Sequence, residues 1–327
     1  MTDMASVKEW VTRPPFQALA HAMELQAATF KRMREWQEAN EVGAELGIAP
    51  DRRSVLVFAN MKVSLPILSW QSQLSDVLHN YRVVLDRIAW DLATTHFTSA
   101  LTEREKKNVY FPLFLTAADL EKAVAAKSGW LTKLDPVMLE RLVETQPFTA
   151  HDPDQSILRW LSELDNDGKH RDGISMRGVY DTMFPIYLHL FDENGAVIDP
   201  ITHRSEWLAE GATVVDRLAI IRVHSTVAVT STWSAIVPLT MLVRRGDYEI
   251  DMEYCVWAVQ VQVIGTLVAI YGGFWPPPEA ILAGDNDDTA WSEQRKLLDE
   301  IWGEIPAGFL MQPSSPSWRL TRRKTRS

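Results

Sequence analysis

The sequence predicts an α+β fold: a helical N-terminal half with one long amphipathic helix, followed by an antiparallel sheet covered by a helix. Two observations carry this expectation. Over the first half, apolar residues recur three and four apart, the period of a helix face. From about Phe184 the chain changes to short β-branched runs separated by turn-forming residues such as Asn194-Gly195.

Pro14-Pro15 opens the first helix, because a first turn has no use for the N–H that proline lacks. Phe16, Leu19, Met23, Phe30, Met33 and Trp36 line its apolar side to about Asn40, and Gly43, Gly47 and Pro50 are expected to end it. Ser54 to Val63 reads as a short strand. Pro66 introduces the long helix, from about Ile67 to about Thr95. Phe111-Pro112-Leu113-Phe114 is a short extended piece. Helices are expected over Ala117–Ala126 and Pro136–Glu144, followed by the break Gln146-Pro147-Phe148. Asp152 as a cap and Pro153 at the first position start a further helix, with the stripe Ile157, Leu158, Leu161 and Leu164 and its end at Gly168.

Phe184 to Phe191 reads as a strand, joined by a type I′ turn at Asn194-Gly195 to Ala196-Val197-Ile198. Val214–Val229, Thr232–Val243 and Tyr248–Ile250 supply further strands, with a second turn at Arg245-Gly246-Asp247. Asp251 to Ile270 is the covering helix. Trp275-Pro276-Pro277-Pro278 stops it, and an acidic segment, a short helix near Trp291–Trp302 and a basic tail follow. Three regions result. Residues 1–180 are a helical region with the polar motifs, and 181–275 hold the sheet and covering helix, forming one compact unit with the first. Residues 276–327 are a Pro-led extension.

A chain of 327 residues, 46% hydrophobic and 23% charged, is long enough to bury a sizeable core. A net charge of -10 argues against general coating of nucleic acid, because neutralising phosphates needs clustered cations. The basic tail, with Arg319, Arg322, Arg323, Lys324 and Arg326, is suited to anionic surfaces or to simple solvation. Cys255 is the only cysteine, which excludes an internal disulfide and suits a reducing compartment. Lys8, Glu9 and Arg13 are followed by no apolar signal region, so a cytoplasmic protein is expected. Tyr254 to Tyr271 could cross a membrane by length, but it contains Gln260 and Gln262, so a buried helix and no membrane insertion are expected.

One polar constellation stands out: His79-Asn80-Tyr81-Arg82 with Asp86, and later Asn166-Asp167-Gly168-Lys169-His170-Arg171. At 100° per residue, Leu74, Val77, Leu78, Tyr81, Val84, Leu85, Ile88 and Leu92 share one apolar face, while His79, Arg82 and Asp86 lie opposite. Val83, Trp90 and Ala93 fall in the same polar sector. Three meanings are open: a solvated back with an Arg82–Asp86 surface pair, a buried network that braces two helices, or a functional site. Lys169, His170 and Arg171, near a helix end, are suited to its dipole or to facing Asp86 from a second helix. No phosphate loop, nucleophile elbow or zinc motif occurs, and Ile174 stands where a calcium loop starting at Glu163 needs glutamate, so no metal or cofactor is expected.

His79-Asn80-Tyr81-Arg82-Val83-Val84-Leu85-Asp86, followed in order by Phe111-Pro112, Gln146-Pro147-Phe148 and Lys169-His170-Arg171, resembles a motif order found in bacterial and phage proteins of no assigned activity. The resemblance spans about Leu65 to Arg171. The arginine within it is also similar to that of the R-x4-6-H signature of HEPN proteins, helical bundles that include metal-independent ribonucleases of toxin and phage-defence systems. That resemblance implies RNA binding or cleavage, with His79, Arg82, Asp86 and His170 as active groups and Asn80, Arg87, Trp90, Lys169 and Arg171 as binding groups. Arg87 occupies the histidine position of the signature, and a guanidinium cannot serve as acid or base there, so His79 or His170 would substitute. The alternative is a non-catalytic interaction or regulatory protein in which the same residues form a structural network. The partner is expected to be an RNA or a protein, a second copy of the chain included.

Overall fold

A computed structural model describes residues 12–40, 43–126, 129–170, 173–180, 188–198, 203–208, 219–234, 239–273 and 321–322. The chain is α+β. Its helices are α1 (Pro14–Ala39), α2 (Ile67–Thr95), the single turn α3 (Glu103–Lys106), α4 (Ala117–Ala125), α5 (Pro136–Glu144), α6 (Ile157–His170) and α7 (Met252–Gly272). The expected short helix near Trp291–Trp302 lies outside the described residues, as does most of the basic tail. Two compact units divide the chain. One is built on Ser72–Ile174, with the stretches before Thr29 and after Tyr254; the other is built on Phe30–Gln71 and Ser175–Glu253.

The first unit is helical. The apolar face of α2 is buried as its periodicity requires: Leu74, Val77, Leu78, Tyr81, Val84, Leu85, Ile88 and Leu92 are none of them more than 2% exposed. Leu158, Leu161 and Leu164 of α6 are buried with Trp160. Asp152 and Pro153 start only a short 3-10 turn, Pro153–Gln155, and α6 proper begins at Ile157. Gly168 does not end α6, which runs on to His170. Its lack of a side chain serves contact instead: a Cβ there would stand 2.1 Å from Ser75 Oγ and 3.2 Å from Ser75 Cβ on α2.

Helix α7 is long and apolar enough to cross a membrane, and 78% of its most apolar window is buried. Among its few polar residues, the buried Gln260 accepts from Gln26 Nε2 of α1 at 3.1 Å, and Gln26 Oε1 accepts from the Tyr81 hydroxyl of α2. Burial raises the Tyr81 pKa well above that of a free phenol. At the other end of α7, Arg141 donates to the carbonyl of Ile270 at 2.7 Å, placing a cation on the negative end of the helix dipole.

The second unit holds the strands. β1 (Gly43–Ile48) and β2 (Ser54–Asn60) form a hairpin, where the sequence led us to expect only helix-ending glycines before the strand. β3 (Met176–Tyr180), β4 (Leu188–Phe191), β5 (His203–Trp207), β6 (Ala219–Ser225), β7 (Ser231–Ser234), β8 (Leu239–Arg245), β9 (Tyr248–Asp251) and the two-residue β10 (Thr321–Arg322) complete the set. They pair antiparallel in the orders β1-β2-β6-β5, β10-β9-β8-β3 and β4-β7. Val55, Val57, Ala59, Leu190, Ile198, Ile221, Val223 and Val229 form a shared core. The turn at Asn194-Gly195 is not the two-residue type expected: Asp192 N–H bonds Ala196 O, and only Gly195 has positive φ (75°). The Asp192 carboxylate accepts from the N–H groups of Asn194 and Ala196, which favours this wider loop.

Gly168→Ala tests the α2–α6 contact. Helix propensity favours alanine by about 1 kcal/mol, whereas overpacking costs about 1–3 kcal/mol, so the variant should melt lower. Adding Ser75→Ala, which removes the Oγ that stands 2.1 Å from the added Cβ without placing a glycine inside α2, should return most of the loss. A Gly168→Ala protein that melts at or above the wild-type temperature contradicts the contact.

Candidate functional site

The polar side of α2 is organised around a main-chain segment. Phe111 is fully buried and begins the extended piece 111–114. Its N–H donates to Asp86 Oδ1 at 3.0 Å, and its carbonyl accepts from Arg82 Nη2 at 2.7 Å. Arg82 and Asp86 are themselves paired, Nη2 to Oδ1 at 3.1 Å, with 13% and 38% of their side chains exposed. An i, i+4 pair on a helix therefore grips both main-chain groups of one residue, as a neighbouring strand would. Arg82 donates to both partners through Nη2, leaving Nη1 buried without a partner among the described residues.

The far end of the segment is held by the Gln146-Pro147-Phe148 break. Phe114 N–H donates to Gln146 Oε1 at 3.0 Å, and Phe148 N–H donates to Phe114 O at 3.3 Å. Gln146 is 2% exposed, and its Nε2 donates to Leu142 O at 3.1 Å, so its amide is used at both ends. Three of the four motifs singled out in sequence thus meet on residues 111–114.

The fourth lies further back along α2. His79 Nδ1 stands 3.0 Å from Asp165 Oδ1 of α6, and Lys169 Nζ donates to Asp165 Oδ2 at 2.7 Å. Asp165 is only 5% exposed at its side chain, while His79 is 44% and Lys169 37% exposed. Asp165 was not singled out as a site residue. Asp86 meets Arg82 and the Phe111 N–H; Lys169 turns to the carboxylate one turn before it. The other named residues are dispersed: Asn80 donates to Asp76 O within α2, Arg87 is exposed, and Trp90 is 39% exposed. His170 closes α6, its side chain not being among those described, and Arg171 lies outside the described residues.

A buried network that sequence reasoning missed centres on Asp91 of α2. Its Oδ2 accepts from Arg13 Nη1 at 3.1 Å and from the Tyr271 hydroxyl at 2.6 Å, and Arg13 lies 5.4 Å from the Tyr271 ring centroid. Burial, then the Asp91 carboxylate, raises the Tyr271 pKa. His96 beside it is held below the ordinary histidine value by burial and by Arg13, with Asp91 opposing. Among the described residues no group of three or more His, Cys, Asp or Glu side chains is placed to hold a metal ion.

The loop leading to Phe111 is fixed by Glu105. It closes a capping box with Thr102 and accepts from Lys133 Nζ at 2.8 Å. Its hydrogen bonds from Lys133, then from Thr102, hold its pKa at about 2 against an ordinary value of 4.5.

No family model, curated protein or solved structure matches the chain.

Because Glu105 binds its proton less readily when folded, its contribution to stability is complete above about pH 4.5 and disappears as pH falls toward 2. Glu105→Gln should therefore flatten the fall in melting temperature over that window. An acid limb identical to wild type would show that the Lys133 and Thr102 contacts contribute nothing.

Proposed function

We propose that this chain is a non-catalytic interaction or regulatory protein, in which the polar motif residues brace its helical unit. The observation that carries the reading is the engagement of Arg82 and Asp86 by the main chain of Phe111. A catalytic arginine needs its guanidinium turned to substrate, whereas this one is 13% exposed and committed to a carbonyl and a carboxylate. Bracing also accounts for the motif order, since Arg82, Asp86, Gln146 and Phe148 all act on the segment that Phe111-Pro112 begins.

Arg82→Ala should lower stability by about 2–3 kcal/mol, the net worth of hydrogen bonds to a charged group. Asp86→Asn keeps an acceptor and should lose about 1 kcal/mol. Wild-type protein incubated with total RNA and a chelator should leave the RNA intact. Thermal melts unchanged by both substitutions, or RNA cleavage abolished by Arg82→Ala, would overturn the reading.

A second reading, HEPN-like RNA cleavage in a toxin or phage-defence role, draws support from one observation. His79 is half-exposed and has its Nδ1 oriented by a buried carboxylate, the arrangement of a general acid or base. It predicts metal-independent cleavage that His79→Ala removes and Arg82→Ala impairs. Intact RNA in the wild-type incubation sinks it.

A further inference from the structure

The imidazole of His79 has one edge committed and one edge open. Nδ1 lies 3.0 Å from Asp165 Oδ1, and Lys169 Nζ holds the other oxygen of the same carboxylate at 2.7 Å. An ionised carboxylate can only accept, so Nδ1 carries the ring proton and Nε2 keeps its lone pair. Nε2 makes no hydrogen bond among the described residues and is not closed off from solvent; the side chain is 44% exposed. The packing that builds this arrangement is local. Gly168, one turn beyond Asp165 on α6, lies against Ser75, one turn before His79 on α2, so the two backbones are close where the carboxylate crosses.

An imidazole held in this way has a limited set of uses. A metal ligand needs companions, and among the described residues no group of three or more His, Cys, Asp or Glu is placed to share an ion with it. A base for a protein hydroxyl needs that hydroxyl beside Nε2, whereas Ser75 Oγ is turned to Gly168. The imidazole itself is left as the nucleophile. Lys169 alone already matches the charge of Asp165, and an ammonium beside a nucleophile suits an anionic electrophile.

We propose that His79 is a phosphoryl acceptor, taking a phosphoryl group on Nε2 from a phosphoramidate donor. The Nε2 lone pair forms the new N–P bond as the donor's P–N bond breaks. The donor group, already carrying its proton, leaves with that electron pair as neutral ammonia or imidazole. The phosphorylated ring is then cationic, with Nδ1–H still on Asp165, whose negative charge offsets it. The phosphoryl oxygens gain Lys169 as a charged donor. One P–N bond is exchanged for another, so the transfer is near thermoneutral and runs in both directions, which suits a relay more than a permanent mark. The inference goes beyond the bracing reading, which draws on Arg82 and Asp86 and leaves the Nε2 edge of His79 unused.

The test is incubation of the full chain with inorganic phosphoramidate and, in a separate arm, with a phosphohistidine-bearing peptide. Sites are then mapped by mass spectrometry under alkaline conditions. His21 and His151 are exposed and have no carboxylate partner among the described residues, so they report the background reactivity of histidine in this chain. His79 should be labelled about tenfold faster than either, the worth of one hydrogen bond to a charged group, and phosphorus NMR should place the phosphoryl on Nε2. Asp165→Asn should slow labelling of His79 by a similar factor. Lys169→Met, at a partly exposed side chain, should slow it about two- to fivefold and melt as wild type does. Labelling by the peptide puts the natural donor on a protein; labelling by phosphoramidate alone puts it among small molecules. Labelling of His79 no faster than of His21 and His151, or a phosphoryl on Nδ1, overturns the inference. So does a Lys169→Met protein that melts as wild type and labels His79 equally fast. Failure of the bracing reading would appear separately, in the Arg82→Ala melt with no donor present.

Discussion

The grip of Arg82 and Asp86 on Phe111 ties together most of the distinctive chemistry of the helical unit. An extended segment packed on a helix has no ladder to satisfy its N–H and C=O groups, and a buried unmatched main-chain group costs as much as a lost hydrogen bond. Two side chains one turn apart on α2 supply the missing donor and acceptor. With Phe111 fixed, Gln146 can meet the Phe114 N–H and the segment is defined at both ends. Arg82 makes this grip through Nη2 alone, and its Nη1 has no partner among the described residues.

What sequence made legible follows from range. Helices α1 and α2 are long and strongly periodic, so local pattern alone fixes them almost to the residue. Strand β1 was obscured because Gly43 and Gly47 resemble helix breakers, while its existence depends on pairing with β2. Gly168 was misread for a related reason: its role is a contact with Ser75, ninety-odd residues earlier, which no local rule contains.

The polar site divides in the same way. That Arg82 and Asp86 form a pair is written in their spacing; that a main-chain amide shares the same carboxylate oxygen is not. Asp165 is one acid among several in a polar stretch of α6, and only packing reveals it as the link between His79 and Lys169. Asp91 was hidden because its partners, Arg13 and Tyr271, come from opposite ends of the described chain. In each case the residue type was visible and the partner was not.

The hydrogen-bonded chain of Tyr81, Gln26 and Gln260 has a consequence for specificity. Helix α7 is apolar around nearly its whole circumference, so burial alone would accept many rotations and axial shifts of it with similar energy. Gln260 breaks that degeneracy. Turning or sliding α7 by one turn would leave its amide facing hydrocarbon and take the acceptor from Gln26 Nε2, whose own oxygen the Tyr81 hydroxyl already holds. Three polar groups thereby act as an index mark, selecting one arrangement of three helices from a set that hydrophobicity leaves nearly equal.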